Sequence, residues 1–124
     1  VESSELSSEE FIRGPFLAFM KKVPGSPIAI VIRLLIAEGP RHPDLLDYYY
    51  DNVVARGMGA IREFIRRGVE RGEFRREALD LQPHLFFAPM MLSMIWRLIF
   101  TKKPLDTDQL METQVDMLLT HLKA

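Results

Sequence analysis

Apolar residues recur along most of this chain at spacings of three and four, the repeat that places side chains on one face of an α-helix. No stretch shows the sustained alternation of apolar and polar residues that indicates a half-buried strand. Four breaks that contain proline or glycine, at residues 24–25, 39–40, 72 and 102–104, divide the pattern into five segments. We therefore predict an all-α fold, a five-helix antiparallel bundle that forms a single domain over residues 1–124.

The first two predicted helices begin at serine caps. Residues 7–10 read Ser-Ser-Glu-Glu, a capping box in which the last glutamate reaches back to the first serine. Gly14-Pro15 interrupts this first helix, so we expect a kink or a restart at that point. Ser26, followed by a proline, starts the second helix. Because this helix is apolar on almost every side, we expect its neighbours to wrap it.

The third predicted helix is long and carries many charges. It is expected to run unbroken from Pro43 to Arg71, with Gly72 at the position where a left-handed glycine often ends a helix. Arginines crowd its second half, which is a feature of some nucleic-acid-binding proteins. Glutamates alternate with these arginines, so we interpret this surface as a solvated helix face with its own ion pairs.

The last two predicted helices carry the strongest apolar signal. The fourth is expected to begin at Asp80, to bend at Pro89 and to end near Thr101. The fifth begins at Asp106, whose side chain can cap it. Its apolar residues form one clean face, which makes it an amphipathic helix.

Composition excludes several classes of protein. Apolar residues make up 48% of the chain, so it can bury a core, and 16 basic against 17 acidic residues give no excess charge for gripping nucleic acid. The chain has no cysteine, which excludes disulfides and thiolate metal sites. Its acidic, serine-rich start differs from a signal peptide, and its longest apolar stretch, residues 85–100, is shorter than a membrane span. We expect a soluble, cytoplasmic protein.

No sequence motif of catalysis is present. The chain has no glycine-rich phosphate loop, nucleophile elbow or paired-carboxylate motif. Its histidines, His42, His84 and His121, match no ligand spacing of a metal site. We therefore expect no enzymatic activity, no metal and no cofactor.

Two features could belong either to a ligand site or to ordinary packing. Arg33 is a lone cation in an apolar helix, so it must reach a carboxylate such as Glu38, solvent, or the acidic group of a ligand. Methionines and aromatic residues cluster on the fourth helix. Such residues usually fill a core, although flexible methionine also suits an adaptable binding pocket.

Two stretches of the chain resemble a known family of regulators. Residues 33–45 (RLLIAEGPRHPDL) and residues 68–75 (GVERGEFR) are similar to conserved segments in the C-terminal domain of tetracycline-repressor (TetR) family transcriptional regulators. The resemblance implies an N-terminal helix-turn-helix domain that is not part of this chain. It also implies that operator DNA is bound through that missing domain alone, and that an effector in the helical core releases it.

The resemblance also implies a ligand pocket and a homodimer. We expect a small, largely apolar effector in a cavity between the first, third and fourth helices, held by a tyrosine hydroxyl or by Arg33. The predicted wall residues are Phe16, Phe19, Met20, Arg33, Tyr49, Tyr50, Val53, Phe87, Met91 and Met94. The last two helices of each subunit would form a four-helix dimer interface, with predicted contacts at Leu92, Trp96, Ile99, Met111, Val115, Leu118 and Leu122.

Two other functions are compatible with the same residues. The chain could be a free-standing helical carrier of an apolar small molecule, or a structural dimerisation module whose cavity has collapsed. A helix-turn-helix encoded upstream would favour the regulator. A bound apolar ligand would argue against the collapsed module.

Overall fold

The computed structural model describes residues 6–124 and confirms the all-α prediction for that part of the chain. Residues 1–5, which begin the acidic start of the sequence, lie outside the described part. The α-helices of the described part are α1 (Ser8–Phe11), α2 (Leu17–Lys22), α3 (Pro27–Glu38), α4 (Pro43–Tyr49), α5 (Ala55–Glu70), α6 (His84–Ile99) and α7 (Thr107–Leu122). Short π-helical or 3₁₀ turns connect several of them, so the predicted segments are partly composite. None of the described helices is long and apolar enough to cross a membrane.

Side-chain caps mark the start of three of these helices, α1, α3 and α7. The capping box is present: the Ser7 hydroxyl accepts from the Glu10 amide at 3.1 Å, and the Glu10 carboxylate accepts from the Ser7 amide at 2.9 Å. Ser26 and Asp106 cap α3 and α7 as predicted. The predicted cap at Asp80 is wrong. Asp80 ends a 3₁₀ turn and the next residue is extended (φ −68°, ψ 134°), so α6 begins only at His84.

Two π-helical turns interrupt the helices. One spans Ile12–Phe16 and contains Pro15, at the point where the sequence predicts an interruption. The other spans Tyr50–Val54 and breaks the helix that was predicted to be continuous from Pro43 to Arg71. This second turn contains neither proline nor glycine, so no residue within it predicted an interruption of the helix. By contrast, α6 is one continuous helix that includes Pro89.

The main core lies between the N-terminal helices, α5, α6 and α7. Its buried members are Ile12, Phe16, Met20, Ile61, Ile65, Phe74, Ala78, Phe86, Met111, Val115, Leu118, Leu119 and Leu122. The last helix is therefore central, because it contributes five of these side chains. Four of the five, at positions 111, 115, 118 and 122, were predicted to contact a second subunit. The structure instead packs them inside one chain, since helical periodicity defines a shared face but not the neighbour that covers it.

A smaller core anchors α3. Ile32 of α3 packs with Val23 and Met94, and each of the three is at most 7% exposed. The opposite side of α3 faces solvent in the single chain, with Ile30 68% exposed and Leu34 50% exposed. The expectation that neighbours wrap this helix on all sides is therefore wrong for the isolated chain.

The turn after α5 closes the core. Gly72 adopts a positive φ of 76°, as predicted for a glycine at a helix end. The amides of Glu73 and Phe74 then donate to the Gly68 carbonyl at 2.9 and 3.1 Å, and the Phe74 ring lies against Gly68. The amide of Arg75 donates to the Leu122 carbonyl at 2.8 Å, which ties this turn to the end of α7.

Candidate functional site

An open groove of about 470 Å³ lies between the N-terminal helices and α5. A volume of this size falls within the range of small-molecule sites. The lining residues are Leu6, Ser7, Ser8, Phe11, Pro15, Phe16, Phe19, Gly57, Ala60, Ile61, Glu63, Phe64, Arg67, Arg71 and Phe87. Most of this surface is aliphatic or aromatic, and the charged residues all come from α5 or from the residue that follows it.

The groove has two walls that run in opposite directions. Ser8, at the start of the N-terminal segment, bonds to Glu73 beyond the end of α5. Three residues later along the N-terminal segment, the Phe11 ring lies 5.1 Å from the ring of Phe64, which is nine residues before Glu73 in the chain. Pro15 and Phe19 therefore lie towards the opposite end, beside Gly57.

Aromatic rings form a firm floor. The Phe16 ring packs against Phe86 and Phe87 with centroids 5.6 and 5.8 Å apart. Phe64 contacts Phe74 edge to face, with centroids 5.7 Å apart. Because these rings also belong to the main core or pack against it, a ligand in the groove would rest on a preformed surface.

Charged side chains gather at the Arg71 end. Arg66 holds Glu63 through an Nε–Oε1 hydrogen bond of 2.9 Å, and this bond lowers the pKa of Glu63. Arg71 lies 3.3 Å from Glu73 and donates to the Leu6 carbonyl at 3.1 Å. Arg67 forms no ion pair with any carboxylate of residues 6–124. Of the two arginines that line the groove, Arg67 is thus the one without an ion pair in residues 6–124.

At the Arg71 end of the groove, Ser8 and Glu73 form a polar contact that we call the clamp. The amide and the hydroxyl of Ser8 both donate to Oε1 of Glu73, at 2.9 and 2.5 Å. The Ser8 hydroxyl, the Ser8 amide and the charge of Arg71 lower the pKa of Glu73, although partial burial opposes them. The ionised carboxylate therefore ties the N-terminal segment to the end of α5.

The clamp makes a pH-dependent contribution to stability. Because the folded-state pKa of Glu73 lies below its ordinary value of 4.5, the contribution is complete above that pH and is lost as the pH falls through the folded value. We expect Glu73→Gln to lower the free energy of unfolding by about 1–2 kcal/mol at pH 7. The deficit should shrink below pH 4.5. Urea unfolding between pH 7 and pH 3 measures both effects.

Glu77→Gln is the matched control, since Glu77 is exposed and its one ion pair within residues 6–124 is with Arg75, at 3.5 Å. An exposed ion pair of this kind contributes little. A Glu73→Gln deficit that equals the control, or that does not change with pH, would contradict the clamp.

The structure brings three of the predicted pocket residues into the groove, namely Phe16, Phe19 and Phe87. Met20 is buried in the main core, while Met94 and Tyr49 belong to the smaller core under α3. The remaining predicted wall residues are exposed and outside the groove: Arg33, Tyr50, Val53 and Met91. The groove therefore has different polar anchors from those expected.

Sequence reasoning missed the α5 wall of the groove. Gly57, Phe64, Arg67 and Arg71 follow one another at helical spacing and share a face. A glycine on a helix face often indicates close approach by another element, but no atom lies within 4 Å of a Cβ built at Gly57. The arginines gave no such signal, because glutamates surround them in the sequence. Arg33 does not pair with Glu38, which contacts Arg41 at 3.6 Å instead.

The outer side of α6 presents an apolar stripe. Leu85, Leu92 and Ile99 recur every seven residues and are between 46% and 62% exposed. Met117 of α7, 69% exposed, adds to the apolar surface of the last two helices. Trp96, another predicted contact, is half-buried: its indole N–H donates to the Lys103 carbonyl at 2.7 Å, and its ring packs on Phe100.

Comparison with known proteins gives one finding. A family model described as "Tetracyclin repressor-like, C-terminal domain" matches residues 16–118, which include the groove floor, α5, α6 and most of α7. No curated protein and no solved structure shows significant similarity to the chain.

Proposed function

This chain belongs to the family of tetracycline repressor-like C-terminal domains, and from that premise we propose that it is the effector-binding and homodimerisation domain of a bacterial transcriptional repressor. Family membership supports a role in transcription regulation in general, through effector binding and dimerisation. The observation that carries the proposal is the groove beside α5, a preformed apolar site with a charged end. Its open volume of about 470 Å³ favours a working ligand site over a collapsed module.

The proposed mechanism links the groove to DNA through the N-terminal segment. DNA reading would belong to a helix-turn-helix domain outside this chain, in a protein that acts in the cytoplasm. Leu6, Ser7 and Ser8 form part of the groove wall, so a ligand there contacts the start of the described chain. If the N-terminal segment can adopt two conformations, a ligand that binds one of them more tightly increases the population of that conformation. Such a shift would change the spacing of two DNA-reading heads, which must match successive major grooves.

Dimerisation would use the outer face of α6 together with α7. Leu85, Leu92 and Ile99 lie along one side of α6 at seven-residue spacing, and all three are exposed. A two-fold axis along such a stripe places identical patches against each other, as in most homodimers. The two helices from each subunit would then form a four-helix bundle.

Charges on the α6 stripe should dissociate the dimer. We expect the double replacement Leu92→Glu and Ile99→Glu to give a monomer with unchanged helix content, because both side chains are exposed in the single chain. Sedimentation equilibrium at tens of micromolar measures the mass, and circular dichroism measures the helix content. Tyr48→Glu on α4, where the side chain is 67% exposed, is the control and should stay dimeric. A monomeric parent domain would refute the proposed interface.

A blocked groove tests the effector site. No atom lies within 4 Å of a Cβ built at Gly57 or at Gly59, so both positions accept a side chain without a clash at that atom. Gly57 lines the groove and Gly59 does not. We expect Gly57→Leu to weaken binding of a neutral apolar fluorescent probe by tenfold or more, about 1.4 kcal/mol. Gly59→Leu should leave the affinity unchanged. Equal affinities of the two variants would mean that the probe binds elsewhere.

A further inference from the structure

We infer that the groove ligand is an amphipathic monoanion, a carboxylate on an apolar body, with the carboxylate at Arg67. This inference rests on the proposed function and specifies its ligand class. It differs from the sequence expectation of a largely apolar effector held by a tyrosine hydroxyl or by Arg33, since neither Arg33 nor any tyrosine lines the groove.

The groove is apolar at one end and polar at the other. Phe19, Gly57 and Phe87 lie towards one end, and Ser8 and Arg71 towards the other. From Gly57 to Arg67 the α5 wall rises by about 15 Å, at about 1.5 Å per residue. A ligand that fills this length therefore has its apolar body over the phenylalanines and its polar group at the arginines.

One arginine at the polar end, Arg67, forms no ion pair with a carboxylate of residues 6–124. Glu63 forms two contacts with Arg66, which also forms an ion pair with Glu70. Arg71 is paired with Glu73 and already donates to a backbone carbonyl. Arg67 remains, and no carboxylate among residues 6–124 pairs with it. A single carboxylate on the ligand matches this one guanidinium, which can bind it through two parallel hydrogen bonds.

Helical spacing places Arg67 next to Phe64, at the end of the apolar surface of the groove. Phe64 and Arg67 are three residues apart on α5, so their side chains lie on the same face one turn apart. The Phe64 ring is held by Phe11 and Phe74, which leaves the guanidinium next to a fixed aromatic surface. Because Arg67 is exposed, a carboxylate at that point remains partly in water and its attraction to the arginine is modest.

The test compares two probes with the same apolar body. Pyrenebutyric acid is ionised at pH 7, whereas pyrenebutanol is neutral. We expect the parent domain to bind the acid at least about threefold more tightly, the effect of a partly exposed charge pair. Arg67→Gln should reduce this ratio towards one without changing the affinity for the alcohol. Arg67→Lys, which keeps the charge, should retain a preference for the acid.

Controls separate the ligand class from the site. Arg62→Gln changes an exposed arginine of the same helix outside the groove and should leave the ratio unchanged. Gly57→Leu should weaken both probes equally. If both probes bind equally to the parent domain and both are blocked by Gly57→Leu, the anionic class is wrong while the effector site stands. If neither probe is affected by Gly57→Leu, the effector site itself is wrong. A preference for the acid that persists in Arg67→Gln also overturns the inference.

Discussion

Leu118→Glu is expected to unfold the domain, whereas Met117→Glu in the adjacent position should leave it folded. Leu118 is 6% exposed and belongs to the main core, while Met117, about 100° away around α7, is 69% exposed. The glutamate at position 118 would place a carboxylate among apolar side chains with no partner. An uncompensated buried charge costs about 3–5 kcal/mol, a large part of the stability of a small domain.

Urea unfolding followed by circular dichroism measures this difference. Met117→Glu should change the free energy of unfolding of the single chain by about 0.5 kcal/mol or less, because its side chain is already in water. If Leu118→Glu instead gave a stable folded monomer, Leu118 would be a subunit contact and the packing of α7 against the core would be wrong. The pair therefore distinguishes a core helix from an interface helix at neighbouring positions.

Gly68→Ala is expected to destabilise the domain by about 2 kcal/mol, the cost of overpacking a filled core. A Cβ at Gly68 would lie 2.7 Å from Cε2 of Phe74 and closer still to Cδ2. The ring cannot simply move away, because Phe74 is 3% exposed and packs edge to face on Phe64. Its backbone is also held, since its amide donates to the Gly68 carbonyl at 3.1 Å.

Gly59→Ala is the matched control on the same helix. It meets no atom within 4 Å, so the ordinary advantage of alanine over glycine should stabilise the domain by up to about 1 kcal/mol. The two substitutions should therefore differ in sign in thermal or urea unfolding. Combining Gly68→Ala with Phe74→Leu should recover part of the loss attributable to the clash, and a double-mutant cycle measures this coupling. A stabilising Gly68→Ala would contradict the close approach of Phe74.

Local residues alone were enough to define the helical class and several helix ends. Ser7, Ser26 and Asp106 were identified as caps, and each accepts a hydrogen bond from its own helix. Gly72 was identified as a left-handed glycine and has a positive φ. These features depend on hydrogen bonds and backbone angles within a few residues, so the sequence carries them without reference to the rest of the fold. The family resemblance depended on local motifs in the same way.

The tertiary structure decided what each apolar face covers. The face of α7 that includes Leu118 was correctly grouped by its periodicity, yet it was assigned to a second subunit and packs within the chain. The groove is formed by residues 6–19 and 57–71, with Phe87 from α6. Its walls are about fifty residues apart in sequence, and no pattern within either wall specifies the register between them. Arg67 became a candidate anchor only because folding places it at the end of an aromatic surface contributed by another segment.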